Sequence, residues 1–431
     1  MIELNEKQRL AYDAVLEGQN VFISGPGGVG KSFLINRMME HLGGSTVLLA
    51  PTGIAALNIG GSTIHSMFGM SKGIMTKGNS HGNTSKRSSQ VFAKDGPVKR
   101  VIIDEIPMAR QDLITAMDAK LRLIRGVNRP FGGLQIIAVG DFYQLPPVVS
   151  NQEQEFYSEF YDSPYCFESD SWAQASFKAI ELDQVMRQSD AEFIDNLQKI
   201  RMCTDDVEDA IRWFNAVAER NVREQDMDDV DPLFLCTTNK MVDKINNLRF
   251  DEIEGETKTY RADVTGKIST YPVAETIALK YGTKVVMMAN TEDYRNGEVG
   301  YVTGMFTDMI EVTLDKPGEP VVLVSRYEWE EKEYALVGSE LTMDVVGTYK
   351  QFPVRLAYAV TIHKCQGMTL DSACIDLGWK AFSSGQTYVA LSRVKNLDRL
   401  FLNRPIKPKD VFVSPEIKTF YENGCQSTNL F

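Results

Sequence analysis

The chain has 431 residues, 43% hydrophobic and 10% aromatic, with 46 Lys and Arg against 58 Asp and Glu, a net charge of −12. At roughly 150 residues per domain this length predicts about three domains, and the composition argues against extensive disorder and against any need for covalent staples. There is no run of about 18 apolar residues and no basic stretch leading into an apolar one at the start, so neither a membrane span nor a secretory signal is expected.

In chain order, four short apolar runs read as buried parallel strands: VFIS from Val21, TVLLA from Thr46, VIID from Val101 and IIAVGD from Ile136. Between them lie helical periods. Leu34, Met38 and Leu42 share one face, as do Leu113, Met117, Leu121 and Ile124. Strand–helix alternation of this kind predicts an α/β fold with a doubly wound sheet that holds its ligand at the carboxyl ends of the strands. Residues 61–100 interrupt the alternation with Gly, Ser and Lys and predict a mobile inserted arm or hairpin. A second alternating region begins near AIELDQ and LFLCTTNK and resumes at LAYAVTIH, SACIDL and RLFL. Between its parts, residues 255–350 show two-residue alternation, which predicts a small β-barrel inserted into a second α/β domain.

Charge is uneven along the chain. Lys72, Lys77, Lys86, Arg87, Lys94, Lys99 and Arg100 face Asp95 alone within residues 71–100, whereas residues 201–231 hold ten acidic and four basic side chains. The six cysteines form no C-x-x-C pair, which fits reduced thiols in a cytoplasmic protein and no zinc site.

The stretch Gly25 to Ser32 reads G-x-x-x-x-G-K-S. In such a loop, backbone N–H groups wrap phosphates, Lys31 reaches the β and γ oxygens, and the Ser32 hydroxyl binds Mg²⁺. Gly25, Gly28 and Gly30 let the backbone approach the ligand. A Mg²⁺–ATP site also needs a carboxylate at the end of another buried strand, and VIIDE offers Asp104 for the metal and Glu105 to polarise the attacking water. Gln144, in GDFYQLPP, is placed to touch the γ-phosphate. A glutamate base speaks for hydrolysis over transfer to an acceptor.

The ordered set LNEKQ, GPGGVGKS, APTGIAA, STIHSMF, IIDE, GDFYQLPP, VMRQ, TTN, AVTIHKCQGMTL and YVALSRV resembles the motifs of superfamily one helicases. More narrowly it resembles the Pif-type (petite integration frequency) DNA helicases and their RecD-like relatives, and EFIDNLQKIR is similar to that family's signature. The resemblance covers nearly the whole chain. It implies two RecA-like P-loop domains: 1–64 with 96–178, and 179–254 with 351–431. It also implies a wedge arm at 65–95 and an SH3-like insertion at 255–350. It implies an adenine contact from Gln8 and two arginines, Arg187 and Arg393, reaching the γ-phosphate from the second domain. Thr52, His65, Phe68, Asn239, Thr361, His363 and Lys364 are implied to face DNA. His363 with Cys365 could read as a metal pair or as a nucleophile and its base, but no further ligands are nearby, and the resemblance implies that His363 faces DNA.

The function so implied is 5′ to 3′ movement on single-stranded DNA with unwinding of forked or tailed duplexes, driven by ATP and Mg²⁺. Such a chain would act as a monomer in replication, repair, recombination or quadruplex maintenance, nucleoid-associated when bound. The chain lacks the long extensions of many eukaryotic relatives and resembles a minimal bacterial or viral core. The alternative is a nucleic-acid-stimulated ATPase that remodels RNA or protein–nucleic acid complexes, and a nucleotide kinase is more distant.

Overall fold

The computed structural model describes residues 4–71, 73–76, 84–188, 190–224, 230–268, 271–337 and 340–425. They form two compact units. Unit 1 is Met1–Arg187 with Glu331–Val346 and Ser414–Phe431; unit 2 is Gln188–Glu330 with Gly347–Val413.

Unit 1 is built on a six-stranded sheet in the order β3-β2-β4-β5-β1-β6. Its strands are β1 (Val21–Ser24), β2 (Thr46–Ala50), β3 (Ser62–Thr63), β4 (Arg100–Ile103), β5 (Gln135–Val139) and β6 (Lys178–Glu181). All neighbours pair in parallel. A parallel sheet covered on both faces needs apolar residues at nearly every position, and β1, β2 and β5 are buried throughout.

Helix α1 (Glu6–Leu16) starts at a reciprocal cap in which Asn5 Oδ1 accepts from the Gln8 amide and Gln8 Oε1 accepts from the Asn5 amide. It buries Ala11, Ala14 and Val15 at the i, i+3, i+4 spacing. Helix α2 (Lys31–Leu42) follows β1, and α3 (Gly53–Ile59) follows β2.

The described part of the inserted arm is helical rather than a hairpin: α4 (Ile64–Phe68) and α5 (Lys86–Val91) pack together, and Val91 and Phe92 are fully buried. Its base is tied to α6 (Gln111–Arg125), because the Met75 amide donates to Asp112 Oδ2 at 2.8 Å. Lys72 and residues 77–83 of the arm lie outside the described residues.

Strand β6 pairs with β1 along its whole length, so residues 179–181 belong to the first sheet, although the sequence reading assigned them to the second domain. The C-terminal segment also joins unit 1. There Phe420 stacks on Phe167 and packs edge-on to Phe142 and Trp172. The segment Glu331–Val346 contributes Tyr334, whose hydroxyl accepts from the Leu48 amide at 2.9 Å. Because β3 is only two residues long, that amide on β2 would otherwise have no partner there.

Unit 2 carries a parallel sheet in the order β18-β7-β19-β20. These are β7 (Leu233–Cys236), β18 (Ala359–Thr361), β19 (Ala373–Asp376) and β20 (Leu400–Leu402); helix α7 (Asn239–Glu252) follows β7 and α8 (Gln386–Leu391) follows the loop after β19. Between β7 and β18 the chain makes antiparallel sheets from β8 (Lys258–Arg261) to β17 (Val354–Leu356), the largest of them ordering β14 (Val321–Ser325), β13 (Met309–Leu314), β12 (Val299–Met305), β11 (Lys284–Met287) and β17. The alternation read from the sequence is visible as buried and exposed positions alternating along β14 (Val321–Ser325). Tyr260, Val285, Val302, Val312, Val324 and Tyr349 form its core.

Candidate active site and nucleic-acid interface

At the end of β1 the loop turns through Gly25, Gly28 and Gly30 at φ 137°, 83° and 82°. These angles suit glycine alone among common residues. A Cβ on Gly25 would lie 2.3 Å from the Leu182 carbonyl oxygen, so side chains are excluded by space as well. Gly30 caps α2 without any side-chain hydrogen bond, which leaves the first-turn N–H groups of α2 without a side-chain cap. This is the local chemistry that suits a phosphate.

Lys31 folds back onto the loop, its Nζ donating to the carbonyls of Gly25 at 2.7 Å and Pro26 at 2.9 Å. Ser32 is exposed at the start of the helix. Gln8 is buried and donates to the Val29 carbonyl at 3.3 Å, so it braces the loop as well as capping α1.

Asp104 follows β4 and is 8% exposed. Burial pushes its carboxyl above the usual range, opposed by the Glu105 amide that donates to it at 2.9 Å and by the charge of Lys31. Glu105 itself sits in the left-handed region at φ 49°, ψ 41°. A non-glycine residue there holds about 1–3 kcal/mol of strain and is typical of functional positions. After β5, Asp141 accepts from the Tyr143 amide at 3.2 Å and from Gln144 Nε2 at 3.4 Å, which orients Gln144.

The donor set fits a magnesium nucleotide. Among the described residues no group of three His, Cys, Asp or Glu could hold a metal ion, and one carboxylate with one hydroxyl is the complement expected for Mg²⁺ whose remaining ligands are phosphate and water.

The two arginines differ. Arg187 closes unit 1 and lies against the loop: a Cβ on Gly28 would come within 2.6 Å of its Cβ, and the Met186 amide donates to the Gly28 carbonyl at 2.9 Å. It therefore approaches the loop from within the first unit rather than from the second. Arg393 belongs to unit 2 and is 2% exposed, its guanidinium donating to the Val389 and Met368 carbonyls and to Ser392 Oγ.

Of the residues expected to face DNA, Phe68 is corrected by the structure. It is fully buried and stacked on Phe92 with ring centroids 5.2 Å apart, so no ring face is left for a base. Thr52 caps α3 by accepting from the Ala55 amide at 3.3 Å and keeps its hydroxyl proton to donate. His65 is half-buried on α4.

In unit 2, Asn239 opens α7 on the surface, Thr361 is buried at the end of β18, and Lys364 is exposed just beyond it. His363 is half-buried, and burial lowers its pKa, which favours the neutral ring. Its ring lies parallel to that of Phe382 at 6.3 Å. Cys365 is fully buried and donates to the Ile362 carbonyl, a core thiol. Reading the sequence missed Tyr421, whose hydroxyl lies 2.8 Å from Ser24 Oγ and 3.3 Å from the Phe142 amide; no spacing rule links residues 397 apart in sequence.

A parallel sheet with an uncapped glycine loop after one strand and a partly buried Asp–Glu pair after another defines a P-loop nucleotide-binding protein. Within that class the chain belongs to the PIF1-like helicase family, whose model matches residues 3–228. It is 34% identical over all its length to the ATP-dependent DNA helicase PIF1 of Xenopus laevis, covering 66% of that protein. To the ATP-dependent DNA helicase Pif1 of Bdellovibrio bacteriovorus it is 33% identical, with 98% of this chain and 92% of that protein covered. The chain thus spans just under two thirds of the Xenopus relative and nearly all of the bacterial one.

Among solved structures, Bacteroides Pif1 in complex with ADP-AlF4 matches with TM-score 0.87 at 31% identity, covering 98% of this chain and 97% of that one. Bacteroides Pif1 bound to ssDNA matches with TM-score 0.70 at 32% identity and the same coverage. A structure described as DNA unwinding at forked dsDNA by two coordinating Pif1 helicases matches with TM-score 0.70 at 30% identity over both whole chains.

Proposed function

We propose that this protein is an ATP-hydrolysing DNA helicase that tracks along single-stranded DNA from 5′ to 3′ and separates duplexes. The observation that carries the reading is the uncapped glycine loop beside the strained, partly buried Asp104–Glu105 pair. Its family membership supports DNA as the track, since the related Bacteroides protein has been solved bound to ssDNA.

The chemistry follows from the residues. The loop N–H groups and Lys31 bind the β and γ oxygens once Lys31 leaves the Gly25 and Pro26 carbonyls. Ser32 and Asp104 are the residues that would hold Mg²⁺, which when bound supplies charge neutralisation at the phosphates. Glu105 takes up and orients the attacking water, and Gln144, positioned by Asp141, reads the γ-phosphate. Arg187 and Arg393 offer positive charge for the transition state, of the kind worth about 10³ to 10⁵ in rate in related chemistry. Arg393 must first give up its internal acceptors. Thr52, His65, Asn239, Thr361, His363 and Lys364 line the strand's path, the inserted arm serves as the wedge, and the antiparallel module of unit 2 is the family's SH3-like domain. A single copy suffices to move along the strand.

The test is strand separation with ATP and Mg²⁺. A duplex with a 5′ single-stranded tail opens, while the same duplex with a 3′ tail stays closed. Preferential opening of the 3′-tailed substrate overturns the polarity, and ATP hydrolysis indifferent to single-stranded DNA overturns the helicase reading. Stimulation by RNA but not DNA would favour the remodelling ATPase.

A further inference from the structure

The carboxyl ends of the four parallel strands of unit 2 lie side by side, about 4.8 Å per step, in the order β18, β7, β19, β20. The first two lead into His363–Lys364 and Asn239, residues assigned to the strand's path. The next two carry groups with no role so far. After β19 comes Trp379, which is 85% exposed, and after β20 come Asn403 and Arg404.

A cleft of about 500 Å³ opens here, walled by Met241 and Ile245 and edged by Lys244, Asp376, Asn403 and Arg404. Gly378, next to Trp379, also lines it. That volume is within the usual range for a small-molecule site. The lining combines apolar faces with hydrogen-bonding edges, the two features by which a base is held.

Trp379 is displayed on a braced loop. Arg404 donates to the Gly378 carbonyl at 2.5 Å, and the Gly378 amide donates to Asp376 Oδ1 at 2.9 Å. Two residues on, the Ala381 amide donates to the buried Asp410, which also receives both Arg404 terminal nitrogens. The same loop carries Phe382 back against His363. A large ring held in water on a fixed backbone gains nothing for folding, whereas it binds a planar partner with little further loss of freedom.

Charge selects the partner. Lys409 Nζ lies 4.6 Å from the Trp379 ring centroid, and Lys244 and Lys380 are exposed around it in a chain of net charge −12. Exposed cations interleaved with an exposed aromatic form the pattern that holds single-stranded nucleic acid by stacking and backbone attraction.

We infer that Trp379 and the adjoining cleft bind a base of the single strand, extending its path from β18 and β7 across β19 to β20. This rests on the proposed DNA reading and adds a site to it. A protein partner is the competing occupant, and the experiment separates the two.

The full chain is titrated with fluorescent oligothymidylate, and the same measurement is made with Trp379→Ala and Trp379→Phe. Loss of one stacked base raises Kd roughly 5- to 100-fold in the alanine variant, while phenylalanine stays within about threefold of the parent. On an oligonucleotide of abasic sugar-phosphate, the parent and the alanine variant converge, because no ring remains to stack. Thermal melting of both variants at the parent's temperature establishes that the fold is intact. An alanine variant that binds oligothymidylate within twofold of the parent overturns the inference and leaves the surface to a protein partner. A penalty that persists undiminished on the abasic strand also overturns it. Should the parent itself fail to bind oligothymidylate, the DNA reading falls first and this inference with it.

Discussion

Glu105 combines a strained backbone with the carboxylate proposed to orient the attacking water. Its left-handed backbone is disfavoured for any side chain with a Cβ, yet a glycine there would have no carboxylate to orient water. Glu105→Gln keeps the shape and removes the charge. Turnover should fall by several orders of magnitude with nucleotide and DNA binding nearly intact, as read by steady-state hydrolysis beside equilibrium binding. Lys31→Ala should weaken nucleotide binding as well, since it deletes the group that reaches the phosphates. A half-maximal rate in either variant would displace the site.

Asp104 supplies a second residue-scale test. Burial raises its folded pKa above the unfolded value of about 3.8, so the folded state holds the proton more tightly. Its contribution to stability is complete below the unfolded pKa and is lost as pH rises through the raised folded pKa. Above that raised folded pKa the nucleotide-free protein carries a desolvated charge. Asp104→Asn should raise unfolding stability by roughly 1 kcal/mol and flatten the pH dependence in that window, while abolishing Mg²⁺-dependent hydrolysis. Calorimetric melting at a series of pH values measures the first, and a melting temperature lower than the parent's at neutral pH would contradict it.

Among the elements, the C-terminal helix Pro415–Glu422 has a larger role than its position suggests. Tyr421 stacks on Tyr143 at 4.4 Å, and its hydroxyl joins Ser24, just before the glycine loop, to the Phe142 amide, just before Gln144. One side chain thus ties together the loop proposed to hold phosphate and the turn proposed to read it. Tyr421→Phe keeps the ring and leaves the Phe142 amide without that acceptor. It should cost about 1–2 kcal/mol of unfolding free energy and slow hydrolysis more than it weakens nucleotide binding. Chemical denaturation and single-turnover kinetics separate the two effects.

For the whole molecule, the net charge of −12 would seem to forbid an anionic partner, but the cations that matter are local. Lys364, Lys244, Lys380 and Lys409 are exposed on unit 2, whereas Glu208, Asp209, Glu219 and Glu224 lie together on the helix Val207–Glu224. With roughly four to six phosphates neutralised, the logarithm of the binding constant for single-stranded DNA should fall with that of salt at a slope of about −3 to −4. A slope near zero, measured by titration across salt concentrations, would mean that these cations do not meet the strand.

Much of this was legible in the sequence because it is local. The glycine loop, the buried strands of unit 1 and the Asp104–Glu105 pair each depend on residues close together in the chain, where periodicity and steric rules act directly. The two-residue alternation of the unit 2 insertion was visible for the same reason. What tertiary structure alone decided is which distant residues meet. Phe68 reads as a stacking platform by motif position, but α5 brings Phe92 against it and burial of both rings outweighs exposure of one. Strand β6 sits beside β1, and Tyr421 beside Ser24, because β1 needs a second parallel neighbour and the sheet's face needs an aromatic cover. The exposure of Trp379 is likewise a tertiary outcome, since Asp410 and Arg404 brace the loop that carries it.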